Sequence, residues 1–540
     1  MLQDGFNCEL PQEGIPTVCL ARGVHQDVEE DVKRGVLYLL FTVFISGMTT
    51  LAVELSASRL LDPYFGTSNV VWANLIGLIL VYLTVGYFAG GRLADRHPRP
   101  EVLYSLTGIA AFWVGLVPFV ARPVLLLASQ GFATYSVGLL VGSFVGVLLL
   151  FAVPVTLLGF VSPFAIRLTV QDVRSAGNIA GQIYGISTLG SILGTFTPVL
   201  VLIPNIGTRY TFLFFACLLL LVSIGGLIRA RSRIVWVCLV FLVILLALGL
   251  LSRRTLIKPA AGMIFEAESA YNYVQVVEVD STRYLLLNEG QAVHSVYDPD
   301  SLATFGTWDY FLAAPFFNEP PYLPDQVDSL CMIGLAAGTT PRQYTAVFGP
   351  IPIDGVEIDP VIVDVGRRFF AMTEPNLAVY VEDGRYFLAR THSRYDVVAV
   401  DAYRLPYIPF HLTTQEFFTE VRAHLTEKGV VVINVGRTDT DYSLVDALAT
   451  TMSAVFPSVY VVDVPETFNS VVVATRQKTR AENLTANLSG ITDPFLYNVV
   501  AQAAAQLRPV TTVGPVLTDD RAPVEQLSNL LVLRYVLQVY

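Results

Sequence analysis

Leu330-Cys-Met-Ile-Gly-Leu-Ala-Ala-Gly-Thr-Thr340, followed at position 356 by Val-Glu-Ile-Asp-Pro360, decides the fold of this 540-residue chain. An apolar run enters a turn of small residues around Gly334 and Gly338. A second apolar run ends in an acid, Glu357, 19 residues after Gly338. This is the layout with which an open α/β sheet holds a nucleoside-bearing cofactor: the turn lets backbone approach the ligand, and the acid accepts from the ribose hydroxyls. A tight strand–helix turn and an unrelated surface acid would read the same in these two segments alone, so the flanking sequence has to decide.

Downstream, strands are expected near 329–335, 351–358, 377–382, 395–401, 429–435, 459–464 and 470–475. Helices are expected near 340–348, 361–371, 385–391, 413–427 and 442–455. Such alternation with apolar strands predicts a mostly parallel sheet covered on both faces. Its ligands belong at the carboxyl ends of the strands, where residues 334–338, Glu357, Asp383 and Asp401 fall. Asp383-Gly384 can take an adenine amino group or make a simple Asp-Gly turn. Asp401 closes the apolar run Tyr395-Asp-Val-Val-Ala-Val400, where a carboxylate can orient an amine and accept its proton, or cap a loop. Four matches at four strand ends favour the ligand site. The expected division is a Rossmann-like domain over 326–540, preceded over 253–325 by a β-rich lead-in in which 273–279 and 283–287 pair through Asp280-Ser-Thr.

Residues 36–252 read as a polytopic α-helical membrane domain behind a tail, 1–35, that has no cleaved signal peptide. Apolar runs of crossing length lie near 36–58, 68–90, 103–120, 134–160, 180–203, 209–228 and 233–251, which makes seven. The stretch 121–133 is short for a span; it is re-entrant, interfacial or part of an eighth crossing. With the N-terminus inside, ten basic residues fall on the cytoplasmic side against six outside. Seven spans would then place the α/β domain outside, and an eighth returns it to the cytoplasm, where nucleoside cofactors are found. The expectation is a multi-pass protein of the cell (inner) membrane with a cytoplasmic soluble domain. Glu54, within the first span, faces a cation or proton pathway or pairs with a neighbouring helix.

The halves differ in charge. Residues 1–251 carry 14 Lys+Arg and 12 Asp+Glu, whereas 252–540 carry 20 and 33. An acidic soluble half argues against nucleic acid as a partner. It suits a cationic substrate such as a polyamine, and ordinary acidic solubility would look alike. The five cysteines have no metal-ligand spacing, so no metal is expected.

Several stretches now carry a resemblance. Val400-Asp-Ala-Tyr-Arg-Leu-Pro-Tyr-Ile-Pro-Phe-His-Leu-Thr-Thr-Gln-Glu-Phe-Phe418, Val381-Glu-Asp-Gly-Arg-Tyr-Phe-Leu388 and Leu517-Thr-Asp-Asp-Arg-Ala-Pro-Val-Glu525 resemble spermidine synthase, and more closely the membrane-fused spermidine-synthase-like proteins. Arg59-Leu-Leu-Asp-Pro-Tyr-Phe-Gly-Thr-Ser68 and Tyr184-Gly-Ile-Ser-Thr-Leu-Gly-Ser-Ile-Leu-Gly194 are similar to the same group. The resemblance implies a spermidine synthase/class I methyltransferase type of fold. It implies transfer of an aminopropyl group from decarboxylated S-adenosylmethionine to an amine or polyamine, leaving methylthioadenosine, without a metal. Gly334, Gly338, Glu357, Asp383 and Gly384 would hold the nucleoside. Asp401 would act as base, with Tyr403 and the loop 406–409 closing over the acceptor.

The departures are specific. Soluble spermidine synthases carry an acid within the first glycine turn, and here Ala337 stands in its place. Their catalytic strand ends Asp-Ser-Ser-Asp, and here Asp401-Ala-Tyr-Arg404 keeps only the first acid. Their Tyr-x-Glu helix reads Trp308-Asp-Tyr310. The nucleoside half of the site is retained and the polyamine half remodelled. Two alternatives therefore stand beside aminopropyl transfer: a methyltransferase using S-adenosylmethionine itself, and a polyamine transporter or sensor whose nucleoside-binding domain does not turn over. Soluble relatives are oligomers, and a homodimer is expected.

Overall fold

The structure, a computed structural model, describes residues 17–65, 69–132, 138–170, 172–252, 260–288, 292–403 and 407–539. Arg404 and Pro406, named above, lie outside the described residues.

The N-terminal part is a bundle of eight helices: α1 (Thr17–Phe65), α2 (Asn69–Arg96), α3 (Pro100–Phe132), α4 (Gly138–Gly159), α5 (Val161–Thr169), α6 (Ala176–Thr197), α7 (Ile203–Arg229) and α8 (Val235–Leu251). Five stretches among the described residues are long and apolar enough to cross a membrane: Arg34–Asp62, Val71–Arg96, Pro100–Leu125, Val141–Thr169 and Val173–Arg229. The last holds two of the seven predicted spans, separated by the non-helical backbone of Gly207 (φ 78°, ψ 166°). Of the seventh predicted span, 233–251, the structure shows Val235–Leu251 as an apolar helix of 17 residues. The stretch 121–132, whose role hydropathy left open, continues α3, with Pro118 and Pro123 inside the helix.

The bundle is apolar inside and out. Leu75, Val114, Phe151 and Leu219 are buried, while Leu80, Phe88, Leu149, Leu200 and Trp236 stand exposed on the outside, as for helices that meet apolar surroundings on every side. Sparse polar bonds link the helices: Tyr38 Oη donates to the Val222 carbonyl at 2.6 Å, Asn74 Nδ2 to Ser143 Oγ at 2.9 Å, and Ser191 Oγ to the Gly47 carbonyl at 3.1 Å. Glu54 lies half-buried in α1.

Next comes an antiparallel four-stranded sheet, β1 (Met263–Glu268), β2 (Tyr273–Val279), β3 (Thr282–Leu287) and β4 (Val293–Tyr297), ordered as in sequence. The predicted hairpin is β2–β3. Asp280 and Ser281 turn it with φ of 49° and 71°, the backbone that two-residue hairpin turns require. Val274, Val276, Leu285 and Leu287 pack against Ala337, Ile362 and Val365 of the domain that follows.

That domain is an eight-stranded sheet. In chain order its elements are α9 (Thr307–Phe311), β5 (Leu330–Ile333), α10 (Thr339–Phe348), β6 (Ile353–Val356), α11 (Pro360–Phe369), β7 (Leu377–Tyr380), α12 (Gly384–Arg390), β8 (Tyr395–Val400), α13 (Gln415–Ala423), β9 (Leu425–Gly436), α14 (Ser443–Ser453), β10 (Ser458–Asp463), β11 (Asn469–Thr475), α15 (Glu482–Ala486), α16 (Pro494–Ala505), β12 (Leu507–Arg508) and α17 (Val524–Val539). The spatial order is β12-β10-β11-β9-β8-β5-β6-β7. Strands β5 to β9 are parallel, and β10 and β11 run antiparallel to their neighbours. All four residues of β5 are buried, as a strand covered on both faces demands. The chain winds outward from β5 in both directions, so the topological switch point lies between β5 and β8, and that is where a ligand crevice forms.

Candidate active site

Gly334 makes the switch point possible. It leaves β5 with φ 85°, and a Cβ there would stand 2.6 Å from the Asp401 carbonyl oxygen and the Ala402 nitrogen. Only glycine lets the exits of β5 and β8 lie against each other. The turn then donates from Ala336 N to Glu357 Oε2 at 2.9 Å, so the acid at the end of β6 braces the turn. Glu357 Oε1 accepts from Asp359 N at 3.1 Å. Asp359 in turn caps α11 by accepting from Val361 N, and its other oxygen accepts from Ser269 Oγ at 2.5 Å and Asn272 Nδ2 at 3.0 Å. Burial pushes the Glu357 carboxyl up to about 7, against the backbone bonds that favour its charge.

A cavity of about 880 Å³ opens over these strand ends, within the range of small-molecule sites. Gly334, Glu357, Asp383, Gly384, Asp401 and Tyr403 all line it. Gly338 is not among its lining residues. It starts α10 in the left-handed region with φ 91°, and a Cβ there would meet the Met372 side chain at 2.6 Å; its need for glycine is helix entry and packing.

Asp383 serves two purposes. Its Oδ1 caps α12 by accepting from Arg385 N and Tyr386 N, and its Oδ2 lies 2.9 Å from His411 Nε2. The His411 bond, foremost, holds the Asp383 carboxyl below its ordinary range.

Asp401 follows β8, its backbone N–H bonded to the Ile333 carbonyl at 2.8 Å. Asn434 of β9 donates from Nδ2 to Asp401 Oδ1 at 2.9 Å, and Asn469 of β11 donates to Asn434 Oδ1 at 2.8 Å. The Trp308 indole also hydrogen-bonds the carboxylate. Burial nonetheless dominates and pushes the Asp401 carboxyl up to about 7, near the pH at which a general base works best. Tyr403 donates to the Asn434 carbonyl at 3.3 Å.

The sequence reading did not assign Asn434, Asn469, His294 or His411 to the site, and it noted Trp308 only as a departure. Asn434 was within reach, because it ends the apolar run Val430-Val-Val-Ile433 just as Glu357 and Asp401 end theirs. The lining carries five carboxylates, Glu357, Glu382, Asp383, Asp401 and Glu525, and no Lys or Arg among the described residues. Such a wall attracts cations. Among the described residues no group of three metal-ligating side chains gathers.

A braced turn and acid at the switch point of an open, mostly parallel sheet define a nucleoside-binding α/β fold. Residues 348–487 match the spermine/spermidine synthase domain. A probable polyamine aminopropyl transferase of Bifidobacterium longum is 35% identical over 288 residues, 49% of this chain and 62% of that protein, so the chain spans less than two thirds of that relative. A polyamine aminopropyltransferase of Vibrio vulnificus is 30% identical over 213 residues, 38% of this chain and 68% of that protein. The crystal structure of a probable spermidine synthase from Corynebacterium glutamicum aligns at 19% identity over 47% of this chain and 99% of that one, with a TM-score of 0.37. The chain belongs to the spermine/spermidine synthase family.

Proposed function

We propose that this protein is a membrane-integrated aminopropyltransferase that moves an aminopropyl group from decarboxylated S-adenosylmethionine to an amine or polyamine. The observation that carries the reading is the cavity wall. A braced Glu357 stands ready for ribose hydroxyls, Asp401 is poised near neutrality, and five carboxylates face the space with no Lys or Arg among the described lining residues. Both reactants are cations. The carboxylate of intact S-adenosylmethionine would want a cationic partner that this wall does not offer among its described residues.

Gly334, Glu357, Asp383 and Gly384 hold the nucleoside in this reading, and Asp401 takes the proton of the attacking amine while Tyr403 shapes the acceptor side. An amine has a reference pKa near 10.4, so it arrives charged and must lose a proton to attack. Positioning, exclusion of water and one carboxylate suffice for the displacement. The apolar helices span the cell membrane as a multi-pass domain of residues 36–252, with the transferase domain on the cytoplasmic side, and the protein is a homodimer.

The test is a ligand panel on the detergent-purified protein: thermal stabilisation by methylthioadenosine, S-adenosylmethionine and its decarboxylated form, then release of methylthioadenosine with a set of diamines. Stabilisation by the decarboxylated form together with amine-dependent release supports the reading. Stabilisation by S-adenosylmethionine in preference to the decarboxylated form, with methyl transfer to an amine, replaces it with a methyltransferase. Binding without turnover of either donor leaves a sensor or transporter.

A further inference from the structure

Among the described residues, one buried side-chain polar atom in the cavity wall has no hydrogen-bond partner. The Nε2 atom of His294 in β4 is buried and meets no hydrogen-bonding group, whereas the carboxylates of Glu357, Asp383 and Asp401 are each bonded. Buried polar atoms are paired as a rule, and an exception beside a cavity marks a place where a ligand completes the bond. The ring is not loosely placed. Its neighbour Ser295 accepts from Ala337 N at 2.9 Å, and Val296 N donates to Thr339 Oγ1 at 3.0 Å, which pins β4 to the turn after β5 and to the start of α10. Burial also pushes the imidazole down to about 4, so the ring is neutral at physiological pH. With its proton on Nδ1, it presents a lone pair at Nε2.

We infer that His294 is an acceptor-binding residue whose Nε2 accepts a hydrogen bond from an N–H of the incoming amine. The inference rests on the amine-transfer reading. A carboxylate at this position would stabilise the ammonium form and keep the nitrogen lone pair occupied by a proton. A neutral imidazole binds the uncharged amine through one N–H and leaves that lone pair free. In the transfer step, the amine nitrogen bonds to the propyl carbon and the carbon–sulfur bond breaks. Its electron pair stays on sulfur as a neutral thioether, the product leaves as the secondary ammonium, and the one proton released is the proton that Asp401 took from the incoming ammonium before the attack.

The test is calorimetric titration of 1,4-diaminobutane and of spermidine into the full-length protein saturated with methylthioadenosine, for the wild type, His294→Ala and His294→Gln. Methylthioadenosine affinity is measured first. The expected result is a loss of about 10-fold or more in amine affinity for His294→Ala, with methylthioadenosine affinity within about two-fold. His294→Gln, which places an acceptor oxygen near the position of Nε2, should recover most of the loss. Wild-type amine affinity in His294→Ala overturns the inference, and so does an equal loss in both variants. Loss of methylthioadenosine binding in both marks a structural residue and also overturns it. A wild type that binds methylthioadenosine and neither amine removes the amine-transfer reading itself, and the inference falls with it.

Discussion

Asn434 donates its side-chain amide to Asp401 across the ends of two neighbouring parallel strands, β9 and β8, at 2.9 Å. Asn469, arriving on the antiparallel strand β11, donates to the Asn434 oxygen at 2.8 Å and so fixes which way the amide points. Two effects compete at the carboxylate. Enclosure in the cavity favours the neutral acid, the bonds from Asn434 and Trp308 favour the anion, and enclosure wins. The outcome is a carboxyl that titrates at about 7, so activity carried by its anion rises with pH through neutrality.

Removing Asn434 should move that rise. A hydrogen bond to a charged group contributes about 1.5–3 kcal/mol, and one pKa unit corresponds to about 1.4 kcal/mol. Asn434→Ala is expected to shift the acidic limb of the pH–rate profile upward by about one unit or more. Asn469→Ala, which only releases the Asn434 amide, should shift it the same way by less. Superimposable profiles for all three proteins would deny the relay any part in setting the base.

Asp401→Asn keeps the size of the side chain but cannot accept a proton as a carboxylate. Turnover of amine is expected to fall about 10²-fold or more, while methylthioadenosine affinity changes much less, because the role proposed for the acid is toward the acceptor. Full turnover in this variant would place the chemistry on another residue.

The nucleoside side is tested by Glu357→Ala and Asp383→Asn. Glu357→Ala removes an acceptor for the ribose and the brace on Ala336 N together, and should weaken methylthioadenosine binding by about 1–3 kcal/mol. Asp383→Asn retains a competent helix cap for α12 and alters the His411 bond and the carboxylate that would meet the adenine amino group. It should weaken binding without lowering Tm by more than a degree or two. Equal nucleoside affinity in both variants and the wild type removes the assignment.

Much of this site was legible in the sequence, for a physical reason. In a parallel sheet the carboxyl ends of strands share one edge, so an acid closing an apolar run is placed there by its register alone, as Glu357 and Asp401 are. What closes over that edge was not legible. Trp308 reaches Asp401 from a helix that precedes β5, and Asn469 reaches Asn434 only because β11 turns back antiparallel beside β9. An apolar run such as 470–475 reveals that it is a strand but not its direction. Gly338 starts α10 and does not line the cavity, and the sequence could not separate its two roles, because helix entry and a ligand contact both call for glycine. In the apolar helical half, hydropathy measures apolar length and not breaks in the chain, so it could not settle whether 121–133 stands apart from the third helix or continues it.

Stability should carry the signature of the buried acids. Glu357 and Asp401 have folded pKa values of about 7, above their unfolded values near 4.5 and 3.8. Between those limits the folded protein holds protons that the unfolded chain releases, so stability falls as pH rises from about 4 to about 7 and levels off above. Glu268, Asp309 and Glu374 are shifted in the same direction. Asp383, Asp441 and Asp519 are shifted down, below this window, and His294, lowered to about 4, opposes the trend between about 4 and 6.5 as one group against the several raised acids. Ligand-free protein is expected to show a higher Tm at pH 5.5 than at pH 7.5 in one detergent, and the double variant Glu357→Gln, Asp401→Asn should flatten that difference. A wild-type Tm that climbs across the window would contradict the burial argument.

The last prediction concerns the tie between the two halves. Gly207 breaks the helical run ahead of Thr208, and the chain resumes as a helix whose first amide needs an acceptor. Glu268, the final residue of β1, supplies it: Oε2 accepts from Thr208 N at 2.7 Å and Oε1 from Thr208 Oγ1 at 2.8 Å. Burial pushes this carboxyl up, while the two bonds and the nearby Arg59 and Arg209 favour its charge. The next residues lead straight to the cavity, since Ser269 and Asn272 hold Asp359, and Asp359 N bonds Glu357. Glu268→Ala leaves the Thr208 donor unpaired in a buried place, at a cost of about 1–3 kcal/mol. Hydrogen exchange at the Thr208 amide should accelerate, and Tm should fall. Slack in β1 should pass to Asp359 and weaken methylthioadenosine binding by a smaller factor than Glu357→Ala does. If exchange at Thr208 accelerates while nucleoside affinity holds, the tie only anchors the bundle; if neither changes, Glu268 is not what holds the helix start.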